Sequence, residues 1–160
     1  MKFSSSLIVL CVGFGLASGK LTPNYTSPLG VEVYNPDQLF NVSGPWSLMT
    51  KAGNLLYISG MRGFHPSNTT LAPVGLPRIE QAFSNMQQLA KLGGANLTDC
   101  IRLTVFVTDM YRWRPLVNTV TQELWKDVAP NYPARTIVEV QRLNDDDIVE
   151  VEGTFYLGNQ

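Results

Sequence analysis

The chain has 160 residues, 44% of them hydrophobic and 16% charged, and a formal net charge of −1. That is ordinary globular composition and enough chain for one domain with a real core. A near-neutral balance with no basic cluster and no interleaved aromatic-basic stripe argues against a nucleic-acid binder.

Residues 1–19 have the physics of a secretory signal. Lys2 leads into Leu7, Ile8, Val9, Leu10, Cys11, Val12, Phe14 and Leu16, and Ala17-Ser18-Gly19 supplies small residues for cleavage. The apolar run is shorter than the roughly 20 residues of a membrane span, so no membrane anchor is expected. An N-terminal core strand is the alternative. Removal of Lys2 from the 12 basic residues leaves 11 against 13 acidic, a mature balance of −2. Four Asn-X-Ser/Thr sequons, at Asn24, Asn41, Asn68 and Asn96, fit a secreted eukaryotic glycoprotein. Once Cys11 leaves with the signal, Cys100 stands alone and reads as a buried apolar thiol. His65 is the only histidine and lies in a loop-like stretch, so neither a metal cluster nor a Ser-His-Asp arrangement can be assembled.

Residues 20–30 read as a flexible leader, and 31–34 as a possible edge strand, so the domain proper is taken as 41–160 after a 20–40 leader. Strands are expected at 46–50 and 55–59, joined by a four-residue loop, Lys51-Ala52-Gly53-Asn54. Residues 77–92 form the first expected helix, with Ile79, Ala82, Phe83, Met86, Leu89 and Ala90 on one face, Pro77 in its first turn and Gly93-Gly94 at its exit. Residues 100–107 are apolar on both faces apart from Arg102 and Thr104, as in a central strand. A second helix is expected at 115–128 on a stripe of Leu116, Val120, Leu124 and Val128.

The stretch from Asn131 to Gly153 organises the rest. Ile137, Val138 and Val140 favour a strand, and so does the alternation of Val149, Val151 and Phe155 with Glu150, Glu152 and Thr154. The two strands are expected to pair as a hairpin through Asn144-Asp145-Asp146-Asp147. Arg135 then stands at a strand entrance, after Pro133. A guanidinium there can clamp a carboxylate through two parallel bonds, but it carries protons poorly, so a nearby carboxylate such as Glu150 would supply acid/base chemistry. A surface ion pair at a strand end is the competing reading. The order β-β-β-α-β-α-β-β gives an α+β domain, a mixed sheet with two helices on one face.

Pro133-Ala134-Arg135-Thr136-Ile137-Val138-Glu139-Val140, followed by Ile148-Val149-Glu150-Val151, resembles the C-terminal signature of the RidA (YjgF-like) enamine/imine deaminases, and the likeness reaches back to about Gly44. The resemblance implies a chorismate-mutase-like fold and a homotrimer with active sites between subunits. It implies hydrolytic deamination of 2-aminoacrylate/2-imino acid intermediates to a 2-keto acid and ammonia, without metal or organic cofactor. Arg135 would clamp the substrate carboxylate and Glu150 would position water. Ser59, Gly60 and Asn118 match the family's strand-end Ser-Gly and helix asparagine. Two positions depart from the common pattern: Trp46 stands where many members carry tyrosine, and Ile137 where many carry cysteine. Arg62, Arg112 and Arg114 are further basic candidates, Arg62 first, for a second carboxylate or a larger substrate. The run Asp109 to Asn118 resembles a branch that includes 2-aminomuconate deaminase-like proteins. A non-enzymatic secreted binding protein on the same scaffold is the main alternative. Ribonuclease activity is disfavoured by the lack of a histidine pair and a basic groove.

Overall fold

In a computed structural model, residues 21–37 and 39–159 are described. The signal-like residues 1–19 lie outside them. Alternation along the strands sets the layering. In β7 (Val149–Tyr156), Val149, Val151, Gly153 and Phe155 are buried while Glu150, Glu152 and Thr154 face the other way. The buried row packs under α1 (Leu76–Leu92), where Ile79, Ala82, Phe83, Met86, Leu89 and Ala90 are fully buried, the face expected from the sequence. Gly153 lets the helix sit close: a Cβ there would lie 2.9 Å from Met86 Sδ and 2.7 Å from the Phe155 ring.

The other strands are β1 (Tyr25–Thr26), β2 (Glu32–Tyr34), β3 (Met49–Ala52), β4 (Leu55–Arg62), β5 (Cys100–Val107) and β6 (Ala134–Glu139), and the second helix is α2 (Met110–Leu124). They form one seven-stranded mixed sheet in the order β1-β2-β3-β4-β7-β5-β6. Both helices lie on one face, α1 against β4 and β7, α2 against β5 and β6. Among the described residues no helix covers the second face, which carries Tyr57, Arg102, Thr104, Phe106, Val138, Glu150, Glu152 and Thr154. Tyr57 and Val138 are exposed there.

The expected hairpin between the last two strands does not form. β6 pairs parallel with β5, and β7 inserts antiparallel between β4 and β5. A parallel neighbour needs a long crossover, and α2 provides it between β5 and β6. Residues 140–148 then carry the chain past the end of β5. Both strands were legible locally, but their pairing with the two edges of β5 is a long-range choice that local pattern does not carry.

Three smaller expectations also change. Helix α2 starts at Met110, five residues before the expected Pro115, because Asp109 caps it: Arg112 N donates to Asp109 Oδ1 at 2.9 Å. Pro115 sits inside and costs one backbone bond near the start. The buried stripe is accordingly Trp113, Val117, Val120 and Thr121, with Leu116, Leu124 and Val128 at its flanks. The β3–β4 turn is two residues, Gly53-Asn54, with Gly53 at φ +57°, rather than four. Residues 25–26 of the expected leader form β1, paired with β2 at the sheet edge.

Behind the bare face's far end lies a buried ion pair. Arg78 Nη1 meets Asp147 Oδ1 at 2.8 Å, and Ile148 N donates to the same oxygen at 2.7 Å. Arg78 Nε also donates to the Ala72 carbonyl. The pair ties the start of α1 to the chain three residues before Glu150. Cys100 is buried as expected, its Sγ 3.4 Å from the Arg102 carbonyl; burial pushes its thiol up to about 12.

Candidate functional site

The expected site residues fall into two groups on opposite faces of the sheet. Glu150 stands opposite Arg62 and Phe106 on the face without helices. Where β4 passes β7 the register slips between Ile58 and Met61, so Ser59 and Gly60 together face a single β7 residue. Bulges of this kind re-aim side chains. Here the bulge opens a seat for the Glu150 carboxylate: a Cβ on Gly60 would lie 2.1 Å from Glu150 Oε1. The Ser59 hydroxyl donates to the Ser47 carbonyl, and Ser59 N to the Leu48 carbonyl at 3.1 Å. These bonds hold the strand end against the turn carrying Trp46, which is 42% exposed.

Burial is the main reason that the Glu150 carboxyl is held above its ordinary pKa; Arg62 opposes the rise, and Glu152 and Asp147 add to it. Arg62 is engaged by the loop before β7. Its Nη1 donates to the Asn144 carbonyl at 2.6 Å and pairs with Asp145 Oδ2 at 2.8 Å, and its guanidinium lies 5.5 Å from the Phe64 ring centroid.

The second group lies under the helices at the β6 edge. Arg135 stands opposite Leu103, which faces Gly153, so its side chain points to the helix side. Its Nη2 donates to Asn118 Oδ1 at 2.7 Å and its Nη1 to Thr121 Oγ1 at 3.1 Å. Asn118 and Thr121 share a face because they are three residues apart on α2. Both are neutral acceptors, so they orient the guanidinium without cancelling its charge, and Arg135 has no carboxylate at ion-pair distance among the described residues. Burial first, and then Arg114, pull its pKa below the ordinary value. Asn118, Thr121, Gln122, Tyr132, Pro133 and Arg135 line a cleft of about 400 Å³. The sequence singles out Arg135 and Asn118 separately, without the contact between them, and does not single out Thr121 or Tyr132; the i, i+3 spacing to Asn118 is the signal for the first.

Arg135 and Glu150 therefore do not meet within one chain. Two strand spacings and three residues along the sheet put their Cα atoms roughly 14 Å apart, with the side chains on opposite faces. The chain thus presents two separate groups, a guanidinium with no carboxylate at ion-pair distance among the described residues and a carboxyl that burial holds above its ordinary pKa. Ile137, two residues after Arg135, lies on the same helix-side row and lines a second cleft beside it. The sequon residues Asn24, Asn41, Asn68 and Asn96 are all solvent-exposed.

The family model described as Endoribonuclease L-PSP matches residues 37–156. The chain is similar to a solved structure of a probable translation initiation inhibitor from Rhodopseudomonas palustris, with 37% identity, a TM-score of 0.74, and coverage of 79% of this chain and 98% of that one. It is similar to RidA from the Antarctic bacterium Psychrobacter, with 30% identity, a TM-score of 0.71, and coverage of 78% and 98%. Among curated proteins it is 29% identical over 116 residues to human 2-iminobutanoate/2-iminopropanoate deaminase, covering 72% of this chain and 82% of that protein. The family model spans most of the chain, and the mixed sheet with two helices agrees with the solved structures, so this chain belongs to the Endoribonuclease L-PSP family, that of the RidA/YjgF proteins.

Proposed function

We propose that the protein hydrolyses 2-imino acids and their enamine tautomers to 2-keto acids and ammonia, at sites assembled between copies of the chain, most simply in a homotrimer. The observation that carries this reading is the guanidinium of Arg135, half-buried, held by two neutral acceptors and left with its charge to spend. A substrate carboxylate would take the rest of its fork in charge-assisted bonds. The carboxyl of Glu150, supplied by a neighbouring copy, would hold a water against the C=N carbon and accept its proton. The water oxygen bonds to carbon, protons pass to nitrogen, the C–N bond breaks and ammonia leaves. No electrons are transferred. Fixing the carboxylate and the water removes the entropy of bringing them together. Trp46 would wall the site on the Glu150 side.

The division of the site between faces supports assembly from more than one copy, as does the uncovered sheet face with its exposed Tyr57 and Val138. RNA cleavage, the activity for which the family is named, is less well supported: the bare face presents Glu150 and Glu152, and His65 sits apart in the loop after β4. Secretion and glycosylation remain part of the proposal, on residues 1–19 and the four exposed sequons. A glycosidase-induced shift of secreted material tests them.

The function is tested by ammonia release from 2-iminobutanoate, made in situ by an amino-acid oxidase. Arg135→Ala and Glu150→Gln are each expected to fall to the buffer rate. Unfolded and refolded together in equal amounts, they regain activity at roughly a quarter of the interfaces if each site takes its two halves from different copies. No gain on mixing, with both variants fully assembled, would place the whole site within one chain and overturn the assembly. A wild type no faster than buffer would overturn the deaminase reading.

A further inference from the structure

Resting on that deaminase reading, we propose that the preferred substrates are 2-imino dicarboxylic acids, whose second carboxylate is received by Arg114. Arg135 borders two clefts. One is the Asn118–Tyr132 cleft described above; the other, of about 350 Å³, is lined by Met110, Arg114, Arg135 and Ile137. Two arginines therefore line one small cleft, close enough for their charges to act on each other.

The packing of α2 along β6 explains how they come together. At one end Met110 N donates to Glu139 Oε2 at 2.8 Å; at the other Asn118 and Thr121 hold Arg135. The helix and strand run in opposite senses, and Arg114 lies one turn before Asn118, roughly 6 Å along the axis. Arg135, Ile137 and Glu139 share the strand's helix-side row; Glu139 is engaged by Met110 N, and Ile137 is an apolar side chain lining the cleft with the two arginines.

Arg114 also stands apart from the other two arginines that the sequence offered for this role. Arg62 is on the opposite face and engaged by Asp145. Arg112 lies over the Trp113 ring, 4.4 Å from its centroid. Arg114 shares the cleft of Arg135, and like it has no carboxylate at ion-pair distance among the described residues. The repulsion of Arg114 contributes to lowering the Arg135 pKa. Like charges held together cost free energy that an anion between them returns. A monocarboxylate satisfies Arg135 alone. A short diacid satisfies both, with its methylene carbons over Ile137. The hydrolysis is unchanged: water adds, ammonia leaves, and the second carboxylate takes no part.

The test measures kcat and KM for 2-iminoglutarate and 2-iminobutanoate, each made in situ by an oxidase, in wild type, Arg114→Gln and Arg112→Gln. Wild type should favour the diacid. In Arg114→Gln the diacid-to-monoacid ratio of kcat/KM should fall about 10- to 100-fold, chiefly through KM, as expected for one charge-assisted contact. Arg112→Gln should keep the wild-type ratio. No diacid preference in wild type, or an unchanged ratio in Arg114→Gln, overturns the proposal. Calorimetric binding of glutarate and butyrate separates this failure from that of the deaminase reading. If no imine is hydrolysed but glutarate binds more tightly than butyrate, and Arg114→Gln levels the two, the subsite stands and the reaction falls. Glutarate binding no tighter than butyrate removes the subsite.

Discussion

The two halves of the candidate site are built by opposite means. On the helix side, Arg135 is positioned by Asn118 and Thr121, side chains that accept hydrogen bonds and add no charge. On the bare side, Glu150 is positioned by space: a bulge and a glycine let its carboxylate lie against the backbone of β4. The first arrangement preserves a permanent charge for a ligand. The second removes water from a carboxyl and raises its affinity for a proton, which makes it a better acceptor of one. A clamp needs the former and an acid/base group needs the latter, which is why one environment would serve both poorly.

The sharpest way to break this division is at the clamp. Arg135→Ala should lower kcat/KM for 2-iminobutanoate by about a hundred- to ten-thousand-fold, the worth of two charge-assisted bonds. Arg135→Lys should recover little, because an ammonium cannot reproduce the planar fork. Steady-state kinetics on the assembled variants checks both.

The support behind the bare side is the next target. Arg78 and Asp147 are nearly inaccessible, with side chains 7% and 0% exposed, in contrast to Arg142 and Asp146, which pair at 2.6 Å but are 75% and 73% exposed. Asp147→Ala leaves a buried guanidinium unpaired and should destabilise the fold by about 3–5 kcal/mol in denaturant titration. Arg142→Ala, which breaks the exposed pair from its other end, should cost less than about 1 kcal/mol.

Gly60→Ala probes the seat itself. The added methyl meets Glu150 Oε1 and must push the carboxylate aside. Activity should fall about 10- to 100-fold, part of what a general base contributes, while Asn118-side ligand binding, read by glutarate calorimetry, stays near wild type.

The smallest expected effect is on pH. Glu150 holds its proton more tightly folded than unfolded, so the native state carries more protons between the two pKa values. Stability therefore falls as pH rises from the ordinary carboxylate range through the raised value. Above that window the charged Glu150 is a standing cost, and Glu150→Gln should raise Tm at pH 8 by about 1–4 °C, with little change at pH 3. The acid limb of kcat/KM should lie above the ordinary carboxylate range for the same reason. An unchanged Tm at pH 8 would mean that burial does not strain this group.

Local patterning in the sequence carried much of this protein. The helical period of Ile79 to Ala90 located α1 and its buried face, and alternation in Val149–Phe155 assigned β7 and put Glu150 on the face opposite the core. The signature around Arg135 pointed to the family, and Asn118 was named beside it. The cap at Asp109 was legible too, but the stronger punctuation of Pro115 hid it.

What the tertiary structure alone decided is which strands are neighbours. Two strands separated by a short polar loop look locally like a hairpin. Yet β5 is paired on both edges, with β7 on one side and β6 on the other, and the choice of such long-range partners is not set by distance along the chain. That choice put β7 between β4 and β5, sent Arg135 and Glu150 to opposite faces, and brought Arg114 rather than Arg62 to the cleft of Arg135. Residue identity determined what each group can do; the pairing of strands determined which groups can do it together.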